Sequence, residues 1–237
     1  MNQSRLTDLP LFWINLDSRA DKRYAFMDRF NTWGWTAQTY RVPGVEGSEF
    51  SRDELEEFTR KRLHKRHGSP PRTSYSDKIL KHSAGCLGVL RAHASAVEAG
   101  LEFGHERFVI MEDDAAIRTD MFIRIDTPPE DAGFVGWGGL LMLGFKSDDD
   151  QWANGGQGSW KQLNSRSAYY GAHCYELTRP AAEYLLALYQ KEDATSDDAW
   201  HGLFDYTPSY RCAPQIVTQL SGSVSDVNGR ARENGKV

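Results

Sequence analysis

The sequence lacks the segments that carry a protein into or across a membrane. None of its 237 residues belongs to an apolar run approaching the roughly 20 residues that a membrane-spanning helix needs. The first residues, MNQSRLTDLPLFWINLD, show no basic stretch followed by a long apolar run and a small-residue cleavage site, the pattern of a secretory signal. We therefore expect a cytoplasmic protein with no transmembrane segment, peripheral to a membrane at most.

Cysteine is scarce, and its spacing argues against two kinds of cross-linked fold. The three cysteines, Cys86, Cys174 and Cys212, form no closely spaced pair, and an odd number cannot all be paired within one chain. Reduced thiols in a reducing compartment fit this pattern best. A structural zinc site is not expected, because no two cysteines stand at CxxC spacing.

The sequence also has no excess of positive charge. Its formal net charge of -5 argues against a general nucleic-acid binder. Residues 60–81 are nevertheless rich in basic side chains, namely Arg60, Lys61, Arg62, Lys65, Arg66, Arg72, Lys78 and Lys81. Such a segment either binds phosphate groups or is the solvated face of a helix.

The composition that remains is typical of a packed α/β domain. Hydrophobic residues make up 40% and aromatic residues 12%, too many for a disordered chain. The length lies within the range of one α/β domain. We expect one domain over residues 1–224 and a polar, flexible tail over 225–237.

Strand-like and helix-like segments alternate along the chain. Apolar runs predict strands at 9–16, 36–42, 107–111, 138–145 and 167–177, with a last apolar piece at 215–220. Helical spacing predicts helices at 18–33, 52–67, 83–103 and 178–188, the first two with capping boxes (Ser18 with Asp21, Ser51 with Glu54). In the first helix the residues expected to face the core are Tyr24, Met27, Phe30 and Trp33. An irregular loop is expected at 68–81. The alternation favours a sheet with helices on both faces.

Three consecutive acids follow the strand predicted at 107–111. If extended geometry continues through them, Glu112 and Asp114 project from one side about 7 Å apart, and Asp113 projects from the other. At this distance one carboxylate can hold Mg²⁺ or Mn²⁺ directly, because both ions prefer oxygen ligands, while the other acts through water or on a ribose hydroxyl. Open α/β sheets bind ligands at the carboxyl ends of their strands, where these acids fall. The alternative is a solvated acidic loop.

Several segments spread over most of the chain have a characteristic order and spacing. They are FWINLDSRADKR (12–23), YRVPGVEG (40–47), GCLGVLRAH (85–93), FVIMEDDA (108–115), YGAHCYELTRPAAEYLL (170–186), the pair Asp197 and Asp198, and PQIVTQLSGSVSD (214–226). In this order they resemble glycosyltransferase family 25, which includes lipopolysaccharide-type bacterial sugar transferases and collagen galactosyltransferases. One departure is that the family usually has Gly-Cys followed soon by Ser-His, whereas four more residues intervene here and Ala92 precedes His93.

The resemblance implies a GT-A fold, which is a Rossmann-like mixed sheet flanked by helices. It also implies a metal-dependent, inverting hexosyltransferase that uses a nucleotide-sugar, usually a UDP-sugar. The acidic triplet would be the family's DxD-like motif, with Glu112 and Asp114 as ligands of Mn²⁺ or Mg²⁺ and Asp113 beside the nucleotide.

The resemblance places three further residues near the donor. Asn15 and Arg19 would lie close to the nucleotide at the end of the first strand, and His93 would take the role of the family's histidine. The alternative for Arg19 is a salt bridge in the first helical turn, and the alternative for His93 is packing in the core.

Sugar transfer also requires a group that takes the proton of the acceptor hydroxyl. Asp197 and Asp198 follow Ser196 at a predicted helix start, where the helix dipole favours an ionised carboxylate. The alternative is an ordinary N-terminal cap. Candidates for stacking on a sugar or a base are Tyr169, Tyr170 and His173. The glycine- and aspartate-rich segment at 136–158 is a candidate for a loop that closes over the donor.

The expected partners are a nucleotide-sugar and an acceptor glycan. DNA with a hydroxymethylated base is a second candidate acceptor, bound through the basic residues at 60–81. The same features fit two other functions: a metal-dependent nucleotidyltransferase or other phosphoryl-group enzyme, and a non-catalytic module that binds nucleotide-sugars.

Overall fold

A computed structural model describes residues 5–68, 74–119, 125–141, 158–167, 169–213 and 215–220. The tail predicted at 225–237 and most of the glycine-rich segment predicted to close over the donor lie outside these residues.

The described residues contain nine strands and five α-helices. The strands are β1 (Leu11–Asn15), β2 (Thr39–Pro43), β3 (Arg107–Glu112), β4 (Ala115–Ile117), β5 (Phe134–Leu141), β6 (Ser159–Leu163), β7 (Tyr169–Thr178), β8 (Ser209–Ala213) and β9 (Val217–Gln219). The α-helices are α1 (Ala20–Phe30), α2 (Arg52–His67), α3 (Asp77–Glu102), α4 (Arg179–Tyr189) and α5 (Ser196–Tyr206). Two short 3-10 helices span Arg5–Asp8 and Gly47–Glu49.

Seven of the strands form one mixed sheet in the order β2-β1-β3-β7-β5-β8-β6. β1 is parallel to both of its neighbours, β2 and β3, and β5 is parallel to β8. β7 runs antiparallel between β3 and β5, and β6 is antiparallel to β8. β4 and β9 form a separate antiparallel pair. The carboxyl ends of β1 and β3 therefore meet at one edge of the sheet, where the start of β7 also lies.

Helices cover both faces of the sheet. Alternation along β1 sends Phe12 to one face and Trp13 to the other. Phe12 belongs to a core cluster that includes apolar side chains of α2, α3, α4 and α5. Trp13 stacks on Phe26 of α1 with 4.5 Å between the ring centroids. The structure confirms the predicted α/β class, a mixed sheet flanked by helices that is compatible with a Rossmann-like fold.

The core-facing side of α1 differs from the prediction. Tyr24 is 68% exposed and Met27 is 36% exposed, whereas Phe26 is fully buried. The buried stripe runs through Phe26, Phe30 and Trp33, whose rings pack on one another. The prediction was therefore right for Phe30 and Trp33 and wrong for Tyr24 and Met27. A spacing of three residues falls about 60° short of a full turn, so four residues at that spacing do not stay on one face of the helix.

The start of α3 also differs from the prediction, and two strands were not predicted. α3 begins at Asp77 and buries Leu80, so the irregular loop does not reach Lys81. β6 and β8 were not predicted, because their sequences, SWKQL and SYRCA, are short and rich in polar residues.

One predicted capping box is present and the other is not. Ser51 and Glu54 form a complete capping box at the start of α2. Ser18 instead donates a hydrogen bond to Glu46, and the N-cap of α1 is Arg19, which makes no capping bond through its side chain. The first box was wrong because the side chain of Ser18 finds a partner outside the helix.

Candidate metal and ligand site

The three acids stand where β3 ends. Extended backbone stops at Glu112, and the chain turns through Asp113 and Asp114 before β4 begins. All three residues consequently line one cavity. The extended backbone through all three acids, on which the predicted projection of Asp113 depended, is therefore not present.

Glu112 and Asp114 form a cluster with His173. One ligand atom from each residue lies within 4.8 Å of the ligand atoms of the other two. The sequence predicted the two acids as a working pair but suggested only stacking for His173. Strand pairing explains its position. Met111 of β3 pairs with Cys174 of the antiparallel β7, so the next residues along the two strands, Glu112 and His173, are neighbours.

Gln219 completes the surroundings of the two acids. Its Nε2 lies 3.4 Å from each carboxylate oxygen of Asp114 and 3.5 Å from Oε2 of Glu112. The neighbouring Leu220 donates its backbone N–H to the carbonyl of Asp114 at 2.9 Å. The end of β9 therefore contacts the acidic turn at Asp114, whereas the end of β1 contacts it at Asp113. Gln219 lies in the quoted segment 214–226, but no role was predicted for it, because its approach depends on the pairing of β9 with β4.

An irregularity in β7 orients His173. Between the pairs Gly138 with Cys174 and Leu140 with Tyr170, β7 advances farther than β5, as at a β-bulge. Gly171 lies in this bulge with φ +90°, and a Cβ there would lie 2.9 Å from the ring of His173. Only glycine satisfies both conditions, so the bulge needs Gly171.

His93 contacts the acidic cluster from α3. Its Nε2 lies 3.4 Å from Oε1 of Glu112, and its Nδ1 lies 2.8 Å from the hydroxyl oxygen of Tyr175. Burial acts to raise the pKa of Glu112, but hydrogen bonds from His173 and His93 outweigh it and hold that pKa well below its usual range. His93 is thus both a buried side chain and a direct partner of a candidate ligand.

Asn15 joins the acidic turn to the end of β1. Its Nδ2 donates to Oδ2 of Asp113 at 2.7 Å and to the backbone carbonyl of Arg19 at 3.1 Å. Its Oδ1 accepts a hydrogen bond from Nε of Arg41 at 3.1 Å. The guanidinium of Arg19 pairs with Asp21 at 2.8 Å, which is the first-turn salt bridge that stood as its alternative.

Two cations of α1 also contact Asp113. Nζ of Lys22 lies 3.9 Å from its carboxylate, and Arg29 donates from Nη2 to its backbone carbonyl at 2.7 Å. Burial lowers the pKa of Arg29, while Asp113 and Asp114 act to raise it. These contacts place positive charge next to the acidic turn, and Lys22 also lines the cavity.

A cavity of about 600 Å³ extends from the acids along α3. This volume is typical of small-molecule sites. One face of α3 lines it with Lys81, Ala84, Gly85, Gly88, Val89, Ala92 and His93. Gly88 is required where the 44–47 loop approaches, because a Cβ would lie 2.6 Å from the carbonyl oxygen of Val45. His93 and Lys81 mark opposite ends, about 18 Å apart along the helix axis.

Of the two predicted base candidates, Asp197 is tied to the bulge of β7. Its Oδ2 accepts a hydrogen bond from the N–H of Gly171 at 3.0 Å, and its Oδ1 is shielded from solvent without a partner among the described residues. Burial raises the pKa of Asp197, and the charge of Glu112 adds to the effect. Asp198 instead donates its backbone N–H to Thr195, which is the N-cap of α5.

The basic residues of α2 are largely paired with acids. Arg60 and Lys61 contact Glu57, and Lys65 lies 2.6 Å from Asp193. Lys81 differs from them, because it lines the cavity and no ion pair is found for it within the described part of the chain.

The donor atoms of the cluster fit a divalent metal ion. Carboxylates suit Mg²⁺ and Mn²⁺, while Mg²⁺ prefers a shell made only of oxygen and imidazole binds transition metals. Two carboxylates with one imidazole therefore match Mn²⁺ better than Mg²⁺.

Comparison with models of known protein families gives no match for this chain, and comparison with curated proteins gives none either. The likeness to glycosyltransferase family 25 therefore rests on the segments quoted above.

No helix among the described residues is both long and apolar enough to cross a membrane. The three cysteines are buried free thiols.

Proposed function

We propose that this chain is a metal-dependent, inverting glycosyltransferase that moves a hexose from a nucleotide-sugar to an acceptor hydroxyl. The observation that carries the proposal is the cluster of Glu112, Asp114 and His173, whose two acids line a cavity at the carboxyl ends of β1 and β3. Ligands of open α/β sheets bind at this edge. The family resemblance adds that the donor is a UDP-sugar.

The cavity fits the nucleoside part of such a donor. Its acidic end would face the diphosphate through the metal ion, and its lining also includes Ile14, Val89 and the small residues of α3. With the diphosphate at the acids, the nucleoside extends along α3 toward Lys81. A mostly apolar lining with few polar groups at its ends is typical of sites for such ligands.

The reaction needs positive charge at the leaving diphosphate and a base at the acceptor. A divalent ion held by Glu112, Asp114 and His173 would stabilise the charge that develops on the diphosphate. His93 helps to keep Glu112 ionised and oriented. Asp197 is the proposed base, because burial raises its pKa and makes its carboxylate a better proton acceptor.

We propose a glycan as the acceptor, used by a cytoplasmic enzyme. The ion pairs of Arg60, Lys61 and Lys65 compensate part of the basic charge that a DNA acceptor would need. DNA with a hydroxymethylated base remains the second acceptor to test.

Replacement of one ligand tests the proposal. The protein is expected to release UDP from UDP-glucose or UDP-galactose only with Mn²⁺, and Asp114→Asn should lower the rate on the order of 100-fold or more. The matched control, Asp28→Asn, changes an exposed acid of α1 and should leave the rate unchanged. Both variants should keep the far-ultraviolet circular dichroism of the parent.

Product analysis separates the alternatives. Release of pyrophosphate from nucleoside triphosphates, with no UDP from nucleotide-sugars, would identify a nucleotidyltransferase. A nucleotide-sugar that raises the melting temperature with Mn²⁺ but is never consumed would identify a binding module.

A further inference from the structure

Tyr170 and His201 lie beside Asp197. Tyr170 directly precedes Gly171, whose N–H binds the Asp197 carboxylate at 3.0 Å. His201 follows Asp197 by one turn of α5, so both project from the same face of the helix. The rings of Tyr170 and His201 are in contact, with centroids 5.5 Å apart and planes inclined by 50°.

Two polar atoms of this group have unsatisfied hydrogen-bonding capacity. Nε2 of His201 and Oδ1 of Asp197 are both shielded from solvent and have no partner within the described residues. Buried polar atoms without partners are uncommon in folded proteins, and they often mark a catalytic group or a bound molecule. Tyr170 and His201 are themselves only partly buried, so this group of side chains reaches the protein surface.

The strand order β1-β3-β7 places the acidic cluster between this group and the cavity. The cavity lies on the side of β1 and α3, the metal-ligand cluster lies at the ends of β3 and β7, and the group of Tyr170, Asp197 and His201 lies on the side of β7 and α5. A nucleotide-sugar with its nucleoside in the cavity and its diphosphate at the cluster directs its sugar toward β7. The acceptor then has to approach from β7 and α5.

We propose that Tyr170 and His201 bind the acceptor as an uncharged sugar ring, and this inference rests on the proposed glycosyltransferase function. The apolar face of the ring lies on Tyr170, and a hydroxyl that does not react binds Nε2 of His201. None of the three side chains carries a fixed positive charge, so the group recognises hydroxyls rather than phosphates.

The reacting hydroxyl binds Oδ1 of Asp197. Its oxygen forms the new bond to the anomeric carbon while the bond from that carbon to the diphosphate oxygen breaks. The bonding electron pair leaves with the nucleoside diphosphate, and the proton of the hydroxyl passes to Asp197. Tyr170 and His201 act by positioning the hydroxyl that attacks.

Acceptor kinetics test the inference. UDP release from UDP-glucose and UDP-galactose is measured with Mn²⁺, first in water alone and then with the methyl glycosides of glucose, galactose and N-acetylglucosamine. His201→Phe keeps the ring packing but removes the nitrogen, and it should raise the acceptor KM about 5- to 10-fold, the worth of one hydrogen bond. Tyr170→Ala should raise it by about 3- to 10-fold. The donor KM should stay within about twofold of the parent value in both variants.

Two controls distinguish binding from damage to the fold. His201→Gln retains an amide near the position of Nε2 and should restore part of the acceptor affinity. Tyr206→Ala removes an exposed aromatic ring of the same helix, stacked on Tyr184 at 3.9 Å, and should leave the acceptor KM unchanged. Melting temperatures show which variants fold.

Each other outcome contradicts the inference. An unchanged acceptor KM, or a rise in the donor KM instead, removes Tyr170 and His201 from the acceptor site. If the parent hydrolyses a UDP-sugar in water but no methyl glycoside accelerates the release, or only a duplex with hydroxymethylated bases does, the acceptor is not bound as a simple sugar ring. If the parent releases UDP from no nucleotide-sugar at all, the proposed function itself fails.

Discussion

Lys81 lies at the end of the cavity opposite the acids and is expected to contact the nucleoside end of the donor. Lys81→Met should raise the donor KM about 3- to 10-fold, corresponding to one hydrogen bond of roughly 1 kcal/mol. The kcat should not change, because the nucleoside end does not react and its contacts hold the ground state and the transition state equally. Steady-state kinetics with UDP-sugar as the variable substrate measure both constants.

The matched control is Lys78→Met, which removes an exposed lysine from the same turn of α3 that does not line the cavity. A fall in kcat for Lys81→Met, or an equal rise in KM for both variants, would contradict the assignment of Lys81.

Glu112 and Asp114 could be predicted from the sequence, but His173 and Gln219 could not. The two acids are local neighbours at the end of a recognisable strand, so their proximity follows from backbone geometry alone. His173 reaches them because β7 inserts antiparallel beside β3, and Gln219 reaches them because β9 pairs with β4. Both approaches depend on strand pairing between residues far apart in the sequence, which short-range patterns do not encode.

The bulge in β7 joins a backbone conformation to the geometry of the candidate metal ligands. Gly171→Ala should lower the free energy of unfolding by about 1 to 2 kcal/mol, because an L-residue is strained at φ +90°. It should also weaken Mn²⁺ binding, because the new Cβ displaces the ring of His173. Chemical denaturation measures the first effect, and calorimetric titration with Mn²⁺ measures the second.

Gly104→Ala provides the comparison. Gly104 has φ +77°, and no atom lies within 4 Å of a Cβ built there. It should lose similar stability and bind Mn²⁺ as tightly as the parent. If both variants bound Mn²⁺ equally well, the bulge would have no role in placing His173.

The start of α2 gives a test of stability away from the candidate site. Ser51→Ala removes both bonds that the hydroxyl makes with Glu54 and should lower the free energy of unfolding by about 1 kcal/mol. Ser76→Ala is the control, because Ser76 is the N-cap of α3 but makes no side-chain capping bond. Urea denaturation of both variants should show the larger loss for Ser51→Ala, and equal losses would argue against the capping box.

Elements with strong local signals were predicted, and those defined by long-range pairing were not. α2 was predicted from its capping box and its end at Gly68, and β1 and β3 from continuous apolar runs. β6 and β8 carry many polar residues, and pairing with each other and with β5 makes them strands. The phase of α1 was missed because four bulky side chains at a spacing of three appeared to form a stripe.

The α/β class follows from the alternation of elements, whereas the mixed character of the sheet came only with the family resemblance. Five strands share one direction and two, β6 and β7, oppose it. The reversal of β7 carries the start of that strand to the edge where β1 and β3 end. A fully parallel sheet would have placed His173 at a different height from Glu112. The candidate site thus depends on the direction of β7, which helix and strand patterns did not reveal.

The contact between Gln219 and Glu112 joins residues that are 107 positions apart in the chain. During translation, the two acids leave the ribosome long before the segment that closes their turn. Pairing over such a separation is slow, because a large loop must close before the contact forms. A nascent chain that stops short of β9 therefore lacks one wall of the candidate metal pocket, and tight Mn²⁺ binding there would report that the chain has been made through β9 and has folded.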